Sequence, residues 1–309
     1  MTPPRVVVLG GGSAGWITAC LLHHTWGARG GSVTVIESPE IGIIGVGEGS
    51  TPQLKAFFEH LGIAEDVWML ACDATYKLGI RFTDWSERPG FGSYFHPFPG
   101  PVDLHSEPAF IRNCSLARRG FDVSAHPDDY FLASMLAGQA KGPDPASNFP
   151  FAPSYGYHFD AQKLGIFLRD WAVERGVEHL PRTVERVELS ANGNVAALLS
   201  DAGERIEADI FVDCSGFRAM IAQGAIGTRF LPFSENLFND SAVVLPTMHK
   251  GSYRPQTDSI AMKAGWRWAI PLKSRIGNGY VYSSAHISDE QAEAELRAAI
   301  GAEDAQTQV

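Results

Sequence analysis

An α/β fold built on parallel strands is what this sequence predicts, and three observations carry the prediction. A β-branched run opens the chain and passes through a glycine-rich turn into a helical pattern. A second apolar run then ends on an acidic residue. Much later, a meander of short strands leads to one that closes on Asp213-Cys214-Ser215-Gly216.

Residues 5–9 have the continuous apolar character of a parallel strand buried on both faces. Gly10-Gly11-Gly12-Ser13-Ala14-Gly15 follows and fits G-x-G-x-x-G, with Gly10, Gly12 and Gly15 in the three glycine positions. Ile17, Cys20 and Leu21 recur at helical spacing, so a helix begins directly after the turn. The second apolar run, residues 33–36, ends in Glu37, 22 residues beyond Gly15. At that spacing an acidic side chain can accept hydrogen bonds from a ribose. Glycines are required because a side chain would hold a pyrophosphate away from the helix N-terminus, where free N–H groups and the dipole stabilise anions. Gly11-Gly12-Ser13-Ala14-Gly15 also spells the hydrolase elbow G-x-S-x-G. That elbow comes late in a hydrolase sheet, and only nine residues precede these glycines.

Gly45-Val46-Gly47-Glu48-Gly49-Ser50-Thr51-Pro52 is a second glycine-rich loop. It leads into a helix with Thr51 or Ser50 as cap, Pro52 in the first turn, and Leu54, Phe57, Phe58 and Leu61 on one face. Leu164, Phe167, Leu168 and Trp171 mark another amphipathic helix, which Gly176 ends. Residues 183–189 and 195–199 form a hairpin through Asn192-Gly193, and residues 205–212 follow as a further strand. The combination resembles the glutathione-reductase-type FAD-binding fold, a Rossmann-like unit with a mixed α+β substrate region interleaved in it. A second cofactor motif favours FAD over a nicotinamide cofactor. Contacts to FAD are expected from Gly10, Gly12, Ser13, Ala14, Gly15 and Glu37, and from Gly47, Glu48, Gly49 and Ser50. Val184, Asp213, Ser215 and Gly216 complete the expected set. The three loops should line one groove. The FAD-binding module is expected at 1–75 and 155–222, and the substrate region at 76–154 and 223–309.

Composition narrows the alternatives. The 309 residues include 25 Lys plus Arg against 35 Asp plus Glu, a net charge of −10. Without a basic patch interleaved with aromatics, nucleic acid is not an expected partner. Cys20, Cys72, Cys114 and Cys214 show no C-x-x-C spacing, so neither a metal site nor a disulfide framework is implied. The glycines at 10–12 interrupt the only N-terminal apolar run, and no membrane span is expected; a reducing cytoplasm fits this cysteine usage.

Four segments resemble the flavin-dependent tryptophan halogenases. They are residues 45–52, Tyr76-Lys77-Leu78-Gly79-Ile80-Arg81-Phe82, Tyr157-His158-Phe159-Asp160 and Gly265-Trp266-Arg267-Trp268-Ala269-Ile270-Pro271. The last matches W-x-W-x-I-P, the signature of that family. The resemblance implies an enzyme that takes reduced FAD from a separate NAD(P)H-dependent flavin reductase. With O2 and chloride or bromide it generates hypohalous acid. That acid halogenates an electron-rich aromatic such as tryptophan or indole at a lysine, which corresponds to Lys77. Trp266 and Trp268 would stand between flavin and substrate and keep the two apart. Strand alternation alone puts Lys77 with Gly79, Arg81 and Thr83 on a solvated face, whereas the family role requires a pocket. His158 and His96 are read as structural.

Family members continue past W-x-W-x-I-P into a segment like G-N-x-x-G-F-V-E-P-L-E-S-T, which carries a glutamate and a halide site. Nothing like it follows Gly216. Instead Ser288-Asp289-Glu290-Gln291 forms a capping box for a helix that Gly301 stops. The reading is therefore of a C-terminally truncated member in which that glutamate cannot be named. Such a chain is expected to bind FAD weakly, to brominate indole undetectably by itself, and to expose apolar residues on its first helix or neighbouring strand. A flavin aromatic hydroxylase and a non-catalytic FAD-binding remnant are the competing expectations.

Overall fold

The computed structural model describes residues 3–42, 48–145, 148–249 and 251–302. The chain divides into two compact units: 1–46, 61–72 and 160–232 in the first, and 47–60, 73–159 and 233–309 in the second. The helix Gln53–Leu61 is thus grouped, but for its last residue, with the second unit.

In the first unit, Ile210–Asp213, Arg5–Leu9, Ser32–Glu37 and Glu178–Pro181 form a sheet in that order, with every neighbouring pair parallel. Val6, Val7, Val8 and Leu9 are all buried, as a continuous apolar run in a covered parallel strand requires. Ser13–Trp26 crosses from the first strand to the second and packs on Ala161–Val173, where the Cys20 thiol donates to Leu168 O at 3.8 Å. Asp160 caps that second helix by accepting from Lys163 N–H at 2.9 Å. Val184–Leu189, Val195–Ser200 and Arg205–Ile206 make an antiparallel meander, and Gly193, at φ +84°, forms its first turn. Leu198 and Val184 seal the meander against Val7, Leu9 and Ile36.

The sequence predicts one strand over 205–212, and the structure makes two. Arg205–Ile206 closes the meander, while Ile210–Asp213 turns away to join the parallel sheet. Asp209 fixes the change of direction: its carboxylate accepts from Arg5 N–H at 2.8 Å, and its own N–H donates to Arg5 O at 2.9 Å.

The second unit is organised by a seven-stranded sheet. Ser241–Val244, Arg275–Tyr282, Gly265–Pro271, Thr257–Met262, Gly79–Thr83 and Ser93–Pro97 lie in that order, and Thr247–Met248 also pairs with Arg275–Tyr282. All its ladders are antiparallel except the one joining Thr257–Met262 to Gly79–Thr83. The expected capping box is formed, with Gln291 N–H donating to Ser288 Oγ at 3.3 Å and Ser288 N–H to Gln291 Oε1 at 3.2 Å. The helix Asp289–Ile300 buries Ala292 and Leu296 against Tyr280 and Tyr282 and ends on Gly301 at φ +62°. Full burial of Leu296 contributes about 1.5–3 kcal/mol.

Exposed apolar residues do not concentrate on the first helix or its strand. They cluster after the Asp213 turn, where Phe217, Phe230, Phe233, Leu237 and Phe238 are exposed. No helix among the described residues is long and apolar enough to cross a membrane.

Candidate functional site

The turn between the first strand and first helix divides its work among four glycines. A side-chain carbon on Gly10, at φ +117°, would fall 2.1 Å from Cys214 O, and one on Gly15 would fall 1.8 Å from Gly10 O. These two glycines let strand, helix and the 213–216 turn close on one another. Gly11 makes room for Glu37, whose side chain would lie 2.2 Å from a carbon added there. Gly12 differs: among the described residues nothing lies within 4 Å of its missing side chain. It faces a groove of about 680 Å³, within the range of ligand pockets.

Ser13, Ala14, Glu37, Val184, Ser215 and Gly216 also line that groove. Glu37 ends its strand with Oε2 2.9 Å from His179 Nε2. Asp213 is not a lining residue but the organiser of its turn. It accepts from Ser215 N–H at 3.1 Å, Ser215 Oγ at 2.5 Å, and the N–H groups of Ile221 and Ala222 at 2.9 Å each. Burial pushes its carboxyl upward, but these four bonds outweigh burial and hold it below the usual carboxylate range. Two arginines absent from the sequence reading, Arg182 and Arg218, line the groove, the Arg182 guanidinium donating to the Glu204 carboxylate at 2.9 and 3.3 Å. Neither falls within a motif: Arg182 arrives just before the meander and Arg218 with the turn after Asp213.

The geometry fits a dinucleotide. An open glycine at the start of a helix with no acidic residue in its first turn can admit a pyrophosphate. Glu37 lines the same groove at the end of the second strand.

In the second unit, residues 45–47 of the second glycine loop, Gly47 included, lie outside the described residues. The remainder runs beside Gly156–His158: Ser50 N–H donates to Tyr157 O at 2.8 Å, Tyr157 N–H to Ser50 Oγ at 2.9 Å, and Phe159 N–H to Glu48 O at 3.1 Å. The Glu48 carboxylate is held by both terminal nitrogens of Arg275, at 2.7 and 2.9 Å. The side chains of Glu48 and Ser50 are thus engaged within their own unit. Gly49 is where the loop meets the lysine, since a carbon added there would lie 3.3 Å from Lys77 Nζ.

Lys77 is buried, 8% exposed, and not on a solvated face. The alternation expected across residues 76–83 is broken at Leu78. Among the described residues Thr75–Lys77 pairs only with Gly156–His158, whereas Gly79–Thr83 belongs to the large sheet. Leu78 N–H bonds to Pro255 O at 2.8 Å between the two, so the faces of one strand do not carry into the next. Burial pulls the Lys77 amine down to about 8. Its Nζ stands 5.7 Å from the Phe98 ring centroid.

Trp266 and Trp268 project from one face of Gly265–Pro271 with ring centroids 6.0 Å apart, and Trp85 stands 6.3 Å from Trp266. Trp268 is buried over Gly279, where an added carbon would strike its ring at 2.0 Å.

These features define an α/β protein with a Rossmann-like glycine cradle in one unit and a buried amine in the other. The chain belongs to the tryptophan halogenase family, whose sequence profile matches residues 5–308. It is 37% identical over 334 residues to tryptophan 6-halogenase of Streptomyces toxytricini, covering 97% of this chain and 61% of that protein. It is 35% identical to tryptophan 7-halogenase of Lentzea aerocolonigenes, with 93% and 57% covered. The crystal structure of the Streptomyces enzyme gives a TM-score of 0.85 at 35% identity, over 100% of this chain and 63% of that one. A flavin-dependent halogenase from Brevundimonas sp. BAL3 gives 0.81 at 34% identity, over 95% and 59%. The chain therefore spans about 60% of the length of these relatives.

Proposed function

We propose that this chain carries the FAD groove and the halogen-receiving lysine of a flavin-dependent halogenase. Its substrate would be an electron-rich aromatic such as tryptophan or indole, and a separate NAD(P)H-dependent flavin reductase would deliver the reduced FAD. When bound, reduced FAD supplies the chemistry by which O2 oxidises chloride or bromide to hypohalous acid. The observation that carries the reading is a buried lysine in a family whose named members halogenate tryptophan.

Gly12 gives the pyrophosphate access to the helix N-terminus, Glu37 receives the ribose, and Arg218 adds positive charge along the groove. With its amine near 8, Lys77 is mostly ammonium at neutral pH, with roughly a tenth as free base. The ammonium donates a hydrogen bond to the oxygen of hypohalous acid and draws electron density from the halogen. The free base attacks that halogen, forming an N–halogen bond and releasing water. Either route delivers an electrophilic halogen at Nζ, and burial keeps bulk water from consuming it. Trp266 and Trp268 are assigned to keeping the aromatic substrate from the flavin.

Titration of this chain with FAD, followed by fluorescence quenching, tests the cofactor half. Saturable binding, even if weak, is expected for the wild type and for Lys77→Met, and a marked loss for Gly12→Val. Failure of the wild type to bind FAD would contradict the reading.

A further inference from the structure

His158, set aside as structural on sequence grounds, is completely buried and bonded through both ring nitrogens. Thr75 Oγ1 donates to Pro271 O at 2.5 Å, so the only proton of that hydroxyl is committed. The 3.2 Å contact between Thr75 Oγ1 and His158 Nδ1 therefore takes its proton from the imidazole. Bond counting therefore fixes a proton on Nδ1. Burial first, and the Lys77 charge second, hold this histidine well below its ordinary range, so the ring is neutral and Nε2 is left to accept from Thr257 Oγ1 at 2.8 Å.

The ring adds a second tie between the ladder and the large sheet, beside the bond from Thr75 to Pro271. Thr75 lies in the two-stranded ladder that carries Lys77, and Thr257 in the large sheet. His158 pairs with Thr75 in that ladder and forms an isolated bridge to Gly49. Its Cδ2 and Lys77 Nζ converge on one point above Gly49, 3.5 and 3.3 Å from where a side-chain carbon would be.

We propose that His158 is a positioning residue for Lys77: a neutral imidazole, clamped between Thr75 and Thr257, that fixes the amine over Gly49. The proposal rests on the reading of Lys77 as the halogen-receiving lysine. A neutral donor–acceptor ring ties the two sheets together without setting a second positive charge beside the amine. Phenylalanine would fill the volume but could bridge neither hydroxyl. Glutamine carries both a donor and an acceptor and is the conservative replacement.

The test measures Lys77 itself, without flavin, halide or substrate. The rate of its modification by 2,4,6-trinitrobenzenesulfonate is followed against pH and read at the Lys77 peptide by mass spectrometry. The wild-type midpoint is expected near 8. In His158→Phe and Thr257→Val, checked for folding by circular dichroism, loss of the clamp admits water. The midpoint should then rise by about one pH unit, a tenfold smaller free-amine fraction at neutral pH. His158→Gln should return it to the wild-type value. Thr257→Val removes a single hydroxyl and keeps the test open if His158→Phe does not fold. An unchanged midpoint in the folded variants, even with lowered stability, would show that His158 only supports the fold and would overturn the proposal. A failure of halogenation elsewhere would leave this result standing.

Discussion

Lys77 Nζ and His158 Cδ2 meet above the same backbone position, Gly49, where a side-chain carbon would be 3.3 Å from one and 3.5 Å from the other. Three segments far apart in sequence thus share one point, where an added side-chain carbon would press on the end of the lysine.

Gly49→Ala should therefore act on the lysine more than on the fold. The nearest atom is the end of a flexible side chain, which can retreat by a few tenths of an ångström. Thermal unfolding should change little, within about 1 kcal/mol. The Lys77 modification midpoint should shift. A large loss of stability with an unchanged midpoint would mean that Gly49 serves the backbone alone.

Lys77 also makes stability depend on pH. Its amine lies near 8 in the folded chain against an ordinary 10.5, so the unfolded chain binds the proton more tightly. The resulting cost, about 3 kcal/mol, is fully present below pH 8 and disappears as pH rises through 10.5. Lys77→Met removes it. Urea unfolding should find the variant more stable than wild type at neutral pH, with the advantage gone by about pH 11. Equal stability at neutral pH would show that the amine is solvated.

The glycines of the first turn should separate fold from ligand. Gly15→Ala places a carbon 1.8 Å from Gly10 O and should unfold or strongly destabilise the chain. Gly12→Ala meets no atom of the described residues within 4 Å, so the fold should persist while FAD affinity drops about tenfold, or 1.4 kcal/mol. Calorimetry and flavin titration on both variants check this. Normal FAD binding by Gly12→Ala would remove the groove from the account.

Glu48 and Arg275 form a bidentate pair with the carboxylate buried. Arg275→Met leaves that carboxylate without its guanidinium and should cost about 3–5 kcal/mol in chemical denaturation. Glu48→Gln with Arg275→Met should recover part of the loss. Additive losses in the double variant would mean that the two residues act separately.

Much of this was legible in local sequence. The glycine turn, the Asn192-Gly193 hairpin, the Asp213 turn and the Ser288–Gln291 capping box depend on a few adjacent residues, and the structure forms each of them. What escaped depends on distant partners. Arg275 lies 227 positions from Glu48, so a carboxylate in a glycine loop gave no sign of its ion pair. The burial of Lys77 was hidden because a period-2 pattern presumes one continuous strand, and the bond from Leu78 to Pro255 divides it. His158 looked like any core histidine. Its assignment needs two threonines 83 and 99 residues away.

The central claim is that Lys77 acts on the halogen and not on the flavin. Liquid chromatography–mass spectrometry of tryptophan and indole with FAD, a flavin reductase, NADH, O2 and bromide tests it most directly. The measurement compares wild type and Lys77→Ala in a version of this chain extended to the length of its relatives, with FAD titration alongside. The account predicts a bromide-dependent product with the bromine isotope doublet in the wild type. In Lys77→Ala the product should be absent and FAD binding unchanged. Equal loss of FAD binding and bromination, or a hydroxylated product that forms without bromide, would contradict it.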